Sequence, residues 1–351
     1  MRQGRIPGRG AVSLWRVVRS VAAIALVGVI FVYFLPRIVD LGDVWAAISA
    51  MTWLELLTLG VLAVANNSTY WLVEVSARPG LSYRQAMKIT QTSTAISNTL
   101  PGGAAFGAGL QTAMYVSYGF LPKDIAISMA LTGIWNTFVK LAMPIVALAL
   151  LVLGGSAGGA LVASSLIGVL ALVGAILTFA VILRSERGAL GVGRRIGSLL
   201  ALVSPLTRRS PQADWGAAAA DFRRRTIDLL RIRWSHLTAA AILSHVTLYI
   251  VLLMTLRHVG VSNSVVSWQE ALAAFAFVRL LSALPITPGG LGVVELGLTA
   301  SLVAAGGEEA LVVAAVLVYR LLTFVLPIPV GALSYFLWQH ETARRRAVAN
   351  T

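Results

Sequence analysis

Three ionisable residues stand where ionisable residues are costly: Arg279, Glu295 and Arg320 each interrupt an otherwise apolar run. In hydrocarbon such a group is penalised unless it is paired or hydrated, so by default it marks a functional position. Arg320 lies ten residues beyond Ala310, and at about 1.5 Å per residue this is roughly 15 Å along a helix, near mid-bilayer. A carboxylate flanked by two guanidinium groups at that depth forms a neutralised or net-cationic cluster suited to an anion. Between Arg279 and Glu295 runs Leu284-Pro285-Ile286-Thr287-Pro288-Gly289-Gly290. The amides of Gly289, Gly290 and Gly292, opening a half-helix, add donors and partial positive charge. The expected substrate-binding set is Arg279, Glu295, Arg320, Thr287, Gly289 and Gly290, joined by Asn98 and Gln111 from earlier in the chain. The competing reading is an ion pair that only locks one helix to another, a weak source of stability.

Other chemistries find little footing. There is no cysteine, which removes disulfides, thiolate metal sites and cysteine nucleophiles. His236, His245, His258 and His340 lack metal-ligand spacing, so neither a metal nor another cofactor is expected. Ser244-His245 is adjacent in sequence, which on a helix points the two side chains to different faces, so catalysis is not expected. No Walker glycine loop occurs, so transport would be driven by a gradient or run downhill. Lys140 and Glu74 read as interfacial or snorkelling side chains. Asn66, Asn67, Thr92, Ser93 and Thr94 read as interhelical hydrogen-bonding groups.

The elements that must position these residues are membrane helices. Of 351 residues 58% are hydrophobic and 12% charged, and the mean hydropathy is +0.82, against about a quarter charged residues in a soluble domain. The net charge of +14 does not imply nucleic acid, because the arginines fall in the gaps between apolar runs, as cytoplasmic loops of membrane proteins do. A crossing needs roughly 20 apolar residues. Six segments qualify: Ser20 to Pro36, Thr52 to Glu74, Ile125 to Leu153, Ala160 to Leu183, Trp234 to Leu256 and Ala310 to Trp338. The first follows a basic start and leads through Asp40 and Asp43 without a convincing cleavage site, so it reads as a retained signal-anchor helix.

Two further stretches, Tyr83 to Phe120 and Trp268 to Ala305, are broken mid-way by glycine and proline, at Leu100-Pro101-Gly102-Gly103 and at the motif after Ala283. Such breaks survive at membrane depth only against protein or a watery cavity. Both are expected to be re-entrant or broken helix pairs. The breaks also align the chain with itself. Pro285 lies 184 residues after Pro101, and that offset places Glu295 on Gln111, Tyr319 on Trp135 and Arg320 on Asn136, with Pro144 near Pro327 and Pro329. The fold class expected is an all-α polytopic membrane protein, about six full spans plus two broken pairs, arranged as an inverted repeat with its site at the repeat interface.

This divides the chain into a basic N-terminus (1–19), a first membrane half (20–183, broken at 83–120), an arginine-rich loop (184–233), a second membrane half (234–338, broken at 268–305) and a tail (339–351). Arg78, Arg84 and Lys88, the eleven arginines from Arg184 to Arg233 and Arg344 to Arg346 place both termini and the loop on the cytoplasmic side of the cell membrane. The loop interleaves basic and apolar residues, which suits either a helix on anionic inner-leaflet lipids or a plain topology determinant.

The motif Leu284-Pro-Ile-Thr-Pro-Gly-Gly-Leu-Gly-Val-Val-Glu295, with Val318-Tyr-Arg320-Leu-Leu-Thr-Phe, resembles the flippase-like family typified by the transmembrane region of lysylphosphatidylglycerol synthase. Asn98-Thr-Leu-Pro-Gly-Gly-Ala-Ala-Phe-Gly-Ala-Gly is similar to the matching element of its actinobacterial, stand-alone branch. The resemblance covers roughly Ser20 to Trp338. It implies movement of a lipid between leaflets, with Arg279, Glu295 and Arg320 on the family's intramembrane charged positions. Gln111 and Asn136 depart from members that carry charges there. No polar stretch is long enough for the family's soluble synthase domain, so lipid aminoacylation is not expected. The function expected is translocation of an anionic phospholipid or polyprenyl-phosphate-type lipid. A small-anion transporter, or a non-transporting scaffold for a lipid or cell-wall enzyme, is the alternative.

Overall fold

The computed structural model describes residues 41–100, 102–153, 159–207, 214–282 and 287–349. The expected first span, Ser20 to Pro36, and the basic N-terminus lie outside the described residues, as do Pro101 and Leu284 to Ile286. Every regular element among the described residues is helical. In chain order these are α1 (Leu41–Ser49), α2 (Trp53–Ala77), α3 (Tyr83–Thr99), α4 (Gly103–Ser117), α5 (Pro122–Leu153), α6 (Gly159–Arg184), α7 (Glu186–Thr207) and α8 (Trp215–His258). There follow α9 (Trp268–Leu281), a 3-10 turn (Pro288–Gly290), α10 (Val293–Ala304), α11 (Glu309–Arg320), a π turn (Leu321–Val325) and α12 (Pro327–Ala349).

Local sequence sets the starts. Thr52, Ser82 and Ser267 cap α2, α3 and α9, each in a reciprocal box with Glu55, Gln85 and Glu270 three residues on. The box satisfies donors that lipid could not. Four stretches among the described residues are long and apolar enough to cross a bilayer: Trp53–Ala77, Pro122–Leu153, Leu229–His258 and Glu309–Arg345. They coincide with four of the six expected spans. A fifth, Ala160 to Leu183, is helical throughout as α6. The outer faces are apolar: Leu54, Val61 and Val64 of α2 and Leu333 and Phe336 of α12 are exposed, as lipid-facing side chains must be.

The arginine-rich residues 184–233, which suited a helix in sequence, are largely helical: apart from Ser185, Asp214 and 208–213, the last outside the described residues, they form the end of α6, all of α7 and the first part of α8. At 44 residues α8 is about 66 Å long, more than twice the ~30 Å hydrocarbon core, so its basic first part projects beyond the bilayer. There α7 packs along it, with Gly193 and Gly197 against Trp215. Arg224 reaches Glu186 at 3.0 Å and Arg225 reaches Asp221 at 2.8 Å; the bond from Arg225 holds the Asp221 carboxyl below its ordinary value.

Inside the body, α2 packs along α8, α3 along α12, and α9 along α5. Small residues permit the second of these contacts. A Cβ on Gly331 of α12 would lie 2.2 Å from the Gln91 carbonyl of α3, so only glycine allows this approach. The main core gathers Leu248, Leu252 and Leu256 of α8 with Phe275, Leu298, Val312 and Val316.

Candidate functional site

Both glycine-proline stretches break their helices. In the first, α3 ends at Thr99 and α4 restarts at Gly103, with Gly102 left-handed at φ 69°. In the second, α9 ends at Leu281 and α10 starts at Val293, with Gly289, Gly290 and Gly292 all at positive φ. The two breaks meet. The turn Pro288–Gly290 packs on α3 and α4, and a Cβ on Gly289 would lie 2.2 Å from Phe324 and 3.2 Å from Asn98 Oδ1. Asn98 Nδ2 in turn donates to the Phe324 carbonyl at 3.0 Å.

Phe324 belongs to the π turn. Pro327 has no N–H and its ring clashes with the carbonyl four residues back. The helix accommodates it by widening, and Leu326 N–H donates five residues back to the Leu321 carbonyl at 2.8 Å. Arg320, immediately before the widening, is thereby aimed at the second break. Its Nε donates to Glu295 Oε1 at 2.6 Å, a terminal nitrogen donates to the Gly289 carbonyl at 3.2 Å, and its guanidinium lies 4.3 Å from the Phe324 ring centre. Glu295 Oε2 accepts from Gly292 N–H at 2.7 Å.

This arrangement divides the expected set. Glu295, Arg320, Thr287, Gly289, Gly290 and Asn98 gather at the junction of the breaks, but Arg279 does not join them: it makes no ion pair with Glu295 among the described residues. The half-helix amides are also engaged. Gly290 N–H donates to the Thr287 carbonyl at 3.2 Å and Gly292 N–H to Glu295, so they are not the open anion cradle that the glycines predicted. Thr287 closes the turn by donating to the Leu291 carbonyl at 2.7 Å. The junction is a fastening in which Glu295, Arg320, Asn98, Thr287, Gly290 and Gly292 each bond a neighbour.

Arg279 and Gln111 lie elsewhere, on a cavity of about 350 Å³ between α2, α3, α4, α5, α8 and α9, which Glu74, Thr90, Asn136 and His245 also line. Arg279 Nε is buried with no hydrogen-bond partner among the described residues. Across the cavity Glu74 is held by neutral donors: Gln111 Nε2 at 3.2 Å and the Tyr115 hydroxyl at 2.5 Å. Behind it Arg78 lies 3.7 Å from the Tyr115 ring centre and bonds Ser128 Oγ. Arg78 is thus buried, not the exposed loop charge its sequence position predicts.

Glu74 was missed as a site residue because it lies 21 residues into α2, about 32 Å along the helix and so nominally at an interface; α4 and α5 cover it. The signal available was a carboxylate in an apolar helix with Arg78 one turn later. Ser244 and His245 do not diverge as expected. Ser244 Oγ and His245 Nδ1 both approach the Ala241 carbonyl, at 2.8 and 3.0 Å.

An apolar helical body with a charged internal cavity and two facing helix breaks is what a membrane-embedded chain requires, and the sequence comparison gives the family. The family described as the lysylphosphatidylglycerol synthase transmembrane region matches residues 20–331. This chain belongs to that family. No curated protein matches the chain. Within the lysylphosphatidylglycerol synthase transmembrane-region family, then, this member is a polytopic membrane protein with an ion pair fastening its second break and a separate cavity carrying Arg279.

Proposed function

We propose that this protein is a lipid translocase, in which a phosphate-bearing anionic headgroup visits the Arg279 cavity while its acyl or prenyl tails stay in the bilayer. One observation carries this reading: a guanidinium with an unpartnered buried nitrogen borders a cavity inside a bundle whose exterior is apolar. A half-buried cation with no ion pair among the described residues is costly, and Glu74 across the cavity is engaged by Gln111 and Tyr115, so the position favours an anionic visitor. The Glu295–Arg320 pair acts at one remove, by holding the second break beside the first.

The repeated order of elements, read as an inverted repeat, supports the same reading. From α2 to α5, and again from the apolar part of α8 to α12, the order is long helix, broken pair, long proline-bearing helix. The broken pairs open on matching boxes at Ser82 and Ser267. Packing exchanges across the halves, α3 on α12 and α9 on α5, as a twofold relation between them requires. The basic α7 and the start of α8 then face the cytoplasm with both termini, where exposed Arg194 and Arg195 meet anionic inner-leaflet lipids. The reading is transport: Ser244 Oγ and His245 Nδ1 lie 3.2 Å apart, but both approach the Ala241 carbonyl, which takes the serine's hydrogen away from the ring, so the histidine is not placed as a base for the serine.

The test is reconstitution into liposomes carrying fluorescent phosphatidylglycerol, polyprenyl phosphate or phosphatidylcholine in the inner leaflet. Faster appearance of an anionic lipid in the outer leaflet, lost in Arg279→Gln, is expected. Equal rates in protein-free liposomes would refute translocation. Uptake of inorganic phosphate without lipid movement would identify a small-anion transporter.

A further inference from the structure

His245 lies mid-way along the apolar part of α8 and borders the same cavity as Arg279. Its Nδ1 is 3.0 Å from the Ala241 carbonyl. Ser244 Oγ, 3.2 Å from Nδ1, gives its own hydrogen to the same carbonyl at 2.8 Å; a carbonyl only accepts, so Nδ1 carries the hydrogen. Its Nε2 is buried with no hydrogen-bond partner among the described residues. If Nε2 also carried a hydrogen, the ring would be a cation with an unmatched buried donor, within electrostatic reach of Arg279 and Lys140. The resting ring is therefore neutral, with Nε2 a bare acceptor.

Two residues that line one cavity thus each carry an unmatched buried nitrogen, and the two nitrogens are of opposite kind. Arg279 Nε–H is an obligate donor; His245 Nε2 is an acceptor as it stands. The phosphodiester anion of a lipid headgroup has only acceptors on its phosphate. It satisfies Arg279 directly, but it can bond His245 only after Nε2 gains a hydrogen. The charges agree. The groups facing His245 are Glu74 and Tyr70 from α2, Lys140 from α5 and Arg279 from α9, with Tyr319 of α11 within reach of both Arg279 and Tyr70. An entering phosphate supplies the negative charge that a third cation among Arg279 and Lys140 requires.

We infer that entry of a phosphate-bearing headgroup into the Arg279 cavity is coupled to uptake of a proton at His245 Nε2, so that anion and proton occupy the cavity together. This rests on the headgroup reading above. The proton comes from water, adds to the Nε2 lone pair and leaves again when the anion departs; Nδ1–H stays on Ala241 throughout. Glu74 is the competing carrier: each of its oxygens accepts one hydrogen bond and keeps a lone pair, so substitutions at Glu74 and at His245 separate the two. A chain without a nucleotide-binding loop thereby gains a means to draw on a proton gradient.

The experiment is calorimetric titration of the purified full chain with short-chain phosphatidylglycerol and, separately, inorganic phosphate, in two buffers of different ionisation enthalpy. The difference in heat gives protons taken up per ligand bound. About one proton per lipid is expected at neutral pH, with wild-type affinity falling up to about tenfold per pH unit as pH rises past the free histidine range. His245→Asn keeps an amide donor for Ala241 and should bind with no uptake, whereas Glu74→Gln should retain it. Lipid binding without proton uptake or pH dependence in the wild type would overturn the coupling and leave the headgroup reading intact. Uptake lost in Glu74→Gln but kept in His245→Asn would overturn the assignment to His245. Uptake with inorganic phosphate alone would keep the proton step and give the site to a soluble anion. Binding of neither ligand would overturn both readings.

Discussion

Arg320 Nε donates to Glu295 Oε1 at 2.6 Å, with the two side chains only 12% and 9% exposed, and this bond ties the helix after the second break to the helix that runs past it. Glu295→Gln should be the milder of the two single substitutions, since the amide oxygen still accepts from Gly292 or from Arg320. Arg320→Met strands a buried carboxylate and should cost on the order of 3–5 kcal/mol. Thermal denaturation in detergent would check the order; equal or reversed losses would show that the pair is not the fastening described.

Gly289 and Gly102 both adopt positive φ, at 58° and 69°, but only Gly289 is crowded. Gly102→Ala should therefore cost only the left-handed backbone penalty, about 1–2 kcal/mol. Gly289→Ala should cost distinctly more, because the new methyl meets Phe324, and Phe324→Ala in the same chain should recover part of the loss. Melting temperatures of the three variants measure this, and equal shifts for the two glycine variants would contradict it.

Arg279→Gln should leave the melting temperature near wild type, since Arg279 makes no ion pair among the described residues, yet reduce binding of short-chain anionic lipid. A lost charge-assisted contact in a desolvated site is worth about 2–5 kcal/mol, or roughly thirty-fold or more in affinity. Arg279→Lys should fall between. Unchanged affinity in Arg279→Gln would remove the cavity from the transport route.

Ser198 is exposed on α7 in a chain without cysteine. Ser198→Cys should resist an impermeant thiol reagent in intact cells and react once the membrane is permeabilised. Labelling in intact cells would invert the topology.

The helices and their breaks were legible in sequence because their causes are local. Thr52, Ser82 and Ser267 each cap the helix that starts at the next residue, and Gly102 and Gly289 interrupt the helical path at their own positions, whatever packs nearby. The grouping of Arg279 with Glu295 failed because it depended on tertiary choice. Folding the second break back suggested that charges in the hairpin would pair; α9 does pack on α10 as well as on α5, but Arg279 borders the cavity with α2 and α8, and among the described residues Arg320 is the cation that meets Glu295. Glu74 and His245 escaped for the same reason: each reads as an ordinary helix residue until the other half of the chain closes over it. Arg78 looked like a loop charge, and nothing near it in sequence announces the Tyr115 ring that covers it.

The π turn at Leu321–Val325 inserts one extra residue into an otherwise continuous helical stretch, which shifts everything after it by about 100° relative to an unbroken α-helix. Arg320 and Gly331 thus face the two broken elements from one rod only because their angular phase is offset at this point. Deleting a single residue there, even one other than Phe324, would turn the Gly331 face off α3 or the Arg320 face off Glu295. The rod's register is in this sense shared between the halves: a slip of one residue in the widened turn exchanges grip on one break for grip on the other.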